Sequence, residues 1–449
     1  MPNHKELEDI AKAIIASASE GEEIEVVLGR STSTEVVVYK GEIESLTQST
    51  EEGVTVRVLR DGRVGYSTLG SLDQKLVESC VKSARENCSY ASFDPHAILA
   101  KPDGHPYVEL DLTDPEVSQT PVSEKIALAL ELEKLTLESD SRIVEVPSSS
   151  YSDYVGESLV ASTTGILRHS ERSYAIASAM TVARSGEDTH TGYGYSASRK
   201  LRDLSLEEAA QDAIYRAVRL LGAKPVKSRS LTVVFEPRVA ATFLAVATAG
   251  LSADAIQRNR SIFLGRDGEQ VASSLVTVID DPTDSRFQSA SSTDAEGLAS
   301  RQNVLIEDGV LKGYLYDSYS ANRVGRSSTA NATRSGSGAP TPSARAVFLA
   351  PGPKDASSII EGLEDGVVIQ SISGVHSGVN QVSGDFSVGA EGVLIRNGSL
   401  AEAVKGVTIS STLQRMLLGI VEVGSDTKFY PSIAAGNTVV ISEMSLSGK

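Results

Sequence analysis

Between Cys88 and Pro121 the chain reads Asp94-Pro95, Lys101-Pro102, His105-Pro106, Asp114-Pro115 and Thr120-Pro121. Each proline fixes φ and removes a backbone donor, so this spacing forbids a continuous helix or a central strand through the segment. It therefore divides the chain. The 449 residues amount to two or three typical domains. The expected division is an α+β domain over 1–115, a central α+β domain over 116–228, and a C-terminal β-rich domain over 229–449.

The first unit opens with a helix expected over Glu6 to Ala18, where Asn3 and Glu6 have capping-box spacing and Gly21 lies just beyond. Strands follow at Ile24–Leu28, Glu35–Tyr39 and Gly53–Leu59. A turn at Arg60-Asp61-Gly62 leads into Arg63–Thr68, and a helix over Asp73–Asn87 closes the unit. The second unit is expected to start with a helix capped by Ser123 and to continue as strands around 143–146, 153–162, 165–169 and 173–182. Its last helix is bracketed by a Ser205/Glu208 capping box and by Gly222 with Pro225.

The third unit should be mostly antiparallel. Its strongest local signals are hairpins around Asp308-Gly309 and Asn397-Gly398. Their similar flanks fit either an internal duplication or two turns that select the same neighbours. A helix is expected over Thr412–Val421, capped by Ser411 with Gln414. Two polar stretches, Thr283–Arg301 and Gly325–Arg345, exceed ordinary connections; they read as flexible surface loops or as loops that order on a partner or substrate.

Composition narrows the function. With 42 basic and 59 acidic residues the net charge is −17, opposite to the footprint that phosphate backbones require, so direct nucleic-acid binding is disfavoured. The first 21 residues mix charges with apolar groups and show no export signal, and the longest apolar run, Val239–Leu251, is too short to span a bilayer. A cytoplasmic protein without membrane contact is expected. Cys80 and Cys88 are the only cysteines, and eight positions on a helix set them about 80° apart, which excludes a disulfide framework and a redox pair.

Phosphate-binding glycine loops are absent, and Gly374-Val375-His376-Ser377-Gly378 places its serine one position late for a nucleophile elbow. The six histidines are His4, His96, His105, His169, His190 and His376, with no pair within five residues. A helix-borne zinc motif is thus missing, although distant ligands such as His376, His190 and an acid could still be assembled by the fold. Most carboxylates, among them Asp280, Asp281, Glu391 and Glu402, are expected to be solvated. The stretch from Asn380 to Gly392 stands out: Gly384, Gly389 and Gly392 constrain a loop carrying Asp385 and Phe386. It reads either as a tight bend between core strands or as a groove floor for an extended peptide. The candidate peptide- or partner-facing residues are Asn380, Gly384, Asp385 and Phe386.

That stretch, with Ser261–Glu269, Val276–Pro282, Thr293–Gly297, Leu315–Ala321 and Gly406–Ile409 in the same order, resembles the TldD/PmbA family. The resemblance covers nearly the whole chain and is strongest from Leu231 to Gly424. It implies an α+β fold with mixed α/β N-terminal units and a large antiparallel C-terminal domain. It also implies a heterodimer in which a TldD-like subunit carries zinc on an H-E-x-x-x-H helix and unfolded or extended peptides are cleaved. Gly250-Leu251-Ser252-Ala253-Asp254 looks like the landmark following that helix, which places Leu244, Ala245 and Ala249 where His, Glu and His would stand. Leu and Ala offer zinc no lone pair and cannot deprotonate water. The resemblance therefore implies the PmbA/TldE-like subunit, with no catalytic or metal residue and no cofactor of its own, the zinc belonging to a TldD-like partner. When that partner is absent, a homodimer is a further expectation. The rival readings are a self-sufficient metallopeptidase with dispersed ligands and a protein-binding regulator of DNA gyrase.

Overall fold

The structure is a computed structural model and describes residues 4–336 and 338–448. Its amino-terminal half is built from two units with the same order of elements. The first runs α1 (His4–Ala16), β1 (Glu22–Tyr39), β2 (Glu42–Arg60), β3 (Arg63–Leu69) and α2 (Gln74–Tyr90). After a short helix, α3 (Pro115–Gln119), the second runs α4 (Val122–Glu138), β4 (Ile143–Ser162), β5 (Leu167–Ser185), β6 (Asp188–Ser198) and α5 (Leu206–Val218).

These strands form one antiparallel sheet in the order β3-β2-β1-β4-β5-β6, joined where β1 pairs β4 from Glu25↔Ser162 to Val38↔Ser149. The two sequence units thus share a single sheet. Alternation explains the helical cover: Ile24, Val26 and Leu28 point inward to meet Leu7, Ala11 and Ile14 of α1 and Val77, Val81 and Ala84 of α2. Ala177 and Ala179 of β5 meet Leu132 of α4 and Ala209, Ala210 and Ala213 of α5.

Several local expectations change. Ile24–Leu28 and Glu35–Tyr39 are parts of one 18-residue strand, and residues 143–162 likewise form a single strand. Asn3 of the proposed first cap lies outside the described residues. Ser123 does not cap α4, whose N-cap is Pro121 without a side-chain bond. Ser205 does cap α5, accepting from Glu208 N at 3.1 Å, but the Glu208 carboxylate accepts from Ser196 Oγ instead of closing the box. The helix near residue 412 is shorter, Leu413–Leu418, and is capped by Thr412; Ile420 begins a strand.

The C-terminal unit contains β7 (Arg229–Phe235) in a six-stranded sheet ordered 399–412, 385–396, 365–373, β7, 439–447, 420–423. Strand 439–447 also pairs with 399–412 through Thr408↔Ser447 and Ser410↔Ser445, so five strands close on themselves. Helix α6 (Pro237–Ala249) packs on this sheet, with Phe243 5.9 Å from Phe235 and 6.5 Å from Phe386 between ring centroids. The Asp308-Gly309 hairpin belongs to a separate four-stranded sheet, whereas Asn397-Gly398 joins two strands of the closed sheet. Both turns have positive φ at each central residue, so turn geometry accounts for their likeness.

Parts of the two long polar stretches are packed into the protein among the described residues. They fold over the amino-terminal sheet and bury charge there: Asp294, Glu296 and Arg345 are all under one-tenth exposed. Asp280, expected to be solvated, is wholly buried and accepts from Arg345 N and Ala346 N at 2.7 Å and from Asn331 Nδ2 at 2.6 Å. Across this seam Arg57 of β2 donates to Glu25 of β1 at 2.6 Å and lies 3.7 Å from Glu296, while Arg334 pairs with the other Glu25 oxygen.

Candidate functional site

Helix α6 starts with Pro237 at its first turn and places Val239, Phe243, Leu244 and Ala247 in the core. Thr242, Ala245, Val246 and Ala249 are half-buried on the opposite face. Of the three positions singled out by sequence, Leu244 therefore points into the core and Ala245 and Ala249 toward the accessible side. Between Pro237 and Ala249 the helix carries no histidine, cysteine, aspartate or glutamate. Its accessible face offers the Arg238 guanidinium, the Thr242 hydroxyl and methyl groups, none of which fits a zinc ion.

The amino end of α6 opens on a groove of about 1240 Å³ between the second amino-terminal unit and the C-terminal unit. One wall is β6 and α5 with Tyr195, Ser196, Asp212, Arg216 and Arg219; the other includes Glu236, Arg238, Arg286, Phe429 and Tyr430. Arg238 ties the walls together, donating to Asp212 at 2.6 Å and to Tyr193 O at 3.1 Å, with its guanidinium 4.6 Å above the Tyr195 ring. Arg216 holds the other Asp212 oxygen at 2.9 Å, and Arg219 reaches Glu236 at 2.5 Å. Burial pushes the Tyr195 hydroxyl up to about 12 against the opposing pull of Arg238, so it stays a proton donor at neutral pH. Strand β6 pairs only with β5, so its outer edge has no strand partner among the described residues. The groove-lining run Tyr195–Lys200 begins on that edge strand.

A second cavity of about 240 Å³ lies beside Val239 and Thr242 of α6 and is lined also by Tyr193, Arg238, Gln370, Ser371 and Glu391. The sequence did not expose this groove, because its lining gathers β6, α5 and the start of α6 with residues near 286 and near 430. Only the arginine and tyrosine content of α5 and β6 could have hinted at it.

The stretch at 380–386 behaves as a tight bend. Asn380 Oδ1 accepts from Val382 N and Ser383 N, and Gly384, at φ +83, takes a left-handed backbone that favours glycine. Asn380 and Asp385 are exposed, but Phe386 is 1% exposed and packs edge-on against Phe243. Phe386 is therefore core and faces neither peptide nor partner, because its position on the strand turns it inward between exposed neighbours. His190 and His376 form no ligand cluster among the described residues: His190 sits 3.2 Å from Lys405 Nζ and 3.9 Å from Asp188, and His376 is exposed on the short helix Val375–Gly378.

Family models described as PmbA/TldA metallopeptidase domain 1, central domain and C-terminal domain match residues 24–88, 115–221 and 228–448. The metalloprotease PmbA of Escherichia coli O157:H7 is 24% identical over 446 residues, 98% of this chain and 96% of that protein. A metalloprotease TldD homolog of Buchnera aphidicola is 30% identical over 302 residues, 64% of this chain and 62% of its own. Among solved structures, a Thermotoga maritima protein titled as a modulator of a DNA gyrase superposes with a TM-score of 0.90 at 26% identity, covering 98% of this chain and 100% of that one. TldE from Thermococcus kodakarensis shares the fold, with a TM-score of 0.89 at 22% identity over 99% and 100% of the two chains. Three consecutive domains matched in order, with a relative covered over 96% of its length, make this a metallopeptidase-family protein. The chain belongs to the TldD/PmbA family. No helix among the described residues is long and apolar enough to cross a membrane.

Proposed function

We propose that this chain is the non-catalytic, PmbA/TldE-like subunit of a heterodimeric cytoplasmic zinc peptidase acting on unfolded or extended peptides. The observation that carries it is α6: the helix opening on the groove has neither a metal ligand nor a general base, while the chain otherwise retains the family's three domains. The TldD-like partner would bring the zinc and the water it activates. This chain's own contribution is to hold substrate. Beyond the Tyr193 carbonyl that Arg238 holds, the strand-free edge of β6 along the groove offers backbone groups to an extended peptide, a sequence-tolerant mode of recognition. The paired guanidinium groups of Arg216 and Arg238 fix the groove's walls.

Co-expression with a TldD-like subunit tests this reading. The expected result is copurification of the two chains and cleavage of an unstructured peptide at least tenfold faster than by the partner alone, with no cleavage by this chain alone. A pair no faster than the isolated partner overturns the proposal.

A further inference from the structure

At the far end of the β4–β5 ladder two carboxylates stand directly opposite each other, Glu157 on β4 and Glu171 on β5. Like charges in such a pair repel, and the cost grows with burial. Glu157 has a side chain only 2% exposed. The fixed cation nearest to it, Arg30 Nε, is 3.7 Å away, and neither that nitrogen nor Glu157 Oε1 makes a hydrogen bond. Glu171 Oε1 is also buried and accepts no hydrogen bond, although His4 Nε2 lies 2.7 Å away.

Two imidazoles fill the gap between these acids. His169, two residues before Glu171 on the same face of β5, brings Nε2 to 3.1 Å from Glu157 Oε2 and 4.0 Å from Glu171 Oε1. His4, at the start of α1, brings Nδ1 to 3.3 Å from Glu157 Oε2, with its ring 4.2 Å from that of His169. One ligand atom from each of the four residues lies within 4.8 Å of every other. A tetrahedral zinc ion with ligands at about 2.0–2.2 Å sets its ligand atoms roughly 3.4 Å apart. The observed separations bracket that value, so small side-chain rotations suffice.

We infer that His4, Glu157, His169 and Glu171 form a divalent transition-metal site, of the mixed nitrogen and oxygen type that zinc fills, on the amino-terminal sheet. A dication there would neutralise the facing carboxylates, satisfy the unpartnered Glu171 oxygen and leave Arg30 beside the Glu157 oxygen that does not ligate. Four protein ligands close a tetrahedral shell, which marks the site as structural: it would staple α1 to β4 and β5. It is independent of the groove and of any zinc held by a partner.

The test uses the full chain, purified alone, stripped with a chelator and titrated with zinc sulfate. Calorimetry should find one zinc per chain with a dissociation constant below about 10 μM, and saturating zinc should raise Tm by about 3–5 °C. His4→Ala and His169→Ala should each weaken binding at least tenfold and abolish the Tm rise, and His190→Ala should leave both unchanged. His4 is the exposed member, with a side chain 55% exposed, so its substitution leaves the core intact. If the His169 variant fails to fold, His4→Ala alone decides. Absence of stoichiometric binding, or binding that survives His4→Ala, overturns the site.

Discussion

Glu296 is a residue whose charge the fold opposes. Burial, then the neighbouring Asp294, push its carboxyl up to about 8 from an ordinary value near 4.5, against the pull of Arg57. Burial works against the Arg57 charge too, but Glu25 and Glu296 outweigh it and hold that guanidinium above its ordinary value. A carboxyl that keeps its proton to higher pH when folded than when unfolded makes the folded state the better proton binder in between. Stability therefore falls as pH rises from about 4.5 and levels off above about 8. Asp294, pushed up to about 6, contributes to the lower part of that fall. Glu296→Gln should remove the upper part: Tm of the variant is expected to be flat between pH 6 and 8 where the wild type declines. An equal decline in both would show that another group carries it. No sequence pattern could have marked this residue, since the Arg57 that meets it lies 239 positions earlier in the chain. The missing ligands on α6, by contrast, were legible as a simple lack of histidine and acid.

At the level of elements, the turns were the most readable feature. Asp61-Gly62, Asp308-Gly309 and Asn397-Gly398 all adopt the paired positive φ that their residue types favour. Lys40-Gly41 adopts the same geometry at φ +53 and +75 but went unread, because lysine gives no sign of a left-handed conformation. The long strands were broken in the reading by polar runs such as Arg30–Thr34, which can stay in strand only because both neighbouring strands hold their backbone. Glycine marks close packing in both amino-terminal units. A Cβ on Gly65 would fall 2.1 Å from Ala84 O of α2, and one on Gly194 would fall 2.2 Å from Ala213 N of α5. Gly194→Ala should thus lift α5 from β6 and cost about 1–3 kcal/mol in urea unfolding. Gly313→Ala, with nothing within 4 Å of its Cβ position, should change stability by less than about 0.5 kcal/mol. Equal costs for the two would refute the close-packing argument.

For the whole molecule, the proline-rich crossing carries no helix or strand from residue 91 to 114, yet it does not interrupt the sheet. It leads from α2 to α4 while the sheet continues across β1 and β4, so the strands from Glu22 to Ser198 share one set of ladders. The groove was illegible for the same reason: it exists only where that sheet's edge meets the C-terminal unit. Strand 439–447 lies between β7 and 420–423 and also pairs with 399–412. Deleting residues 439–449 should therefore abolish the cooperative thermal transition of the C-terminal unit and make it sensitive to brief trypsin treatment. A truncated chain with wild-type Tm would mean that the closing strand is dispensable.

The pairing of β1 with β4, and of β7 with the chain's last strand, also bears on how the protein is made. A ribosome releases β1 more than 100 residues before its partner β4, and β7 about 200 residues before strand 439–447. Each nascent unit must wait with an open strand edge, the state most prone to joining another chain. Conditions that slow elongation should raise the misassembled fraction more than a destabilising surface change would. The yield of correctly folded chain would then depend as much on the pace of translation and on chaperones at the tunnel exit as on the finished protein's stability.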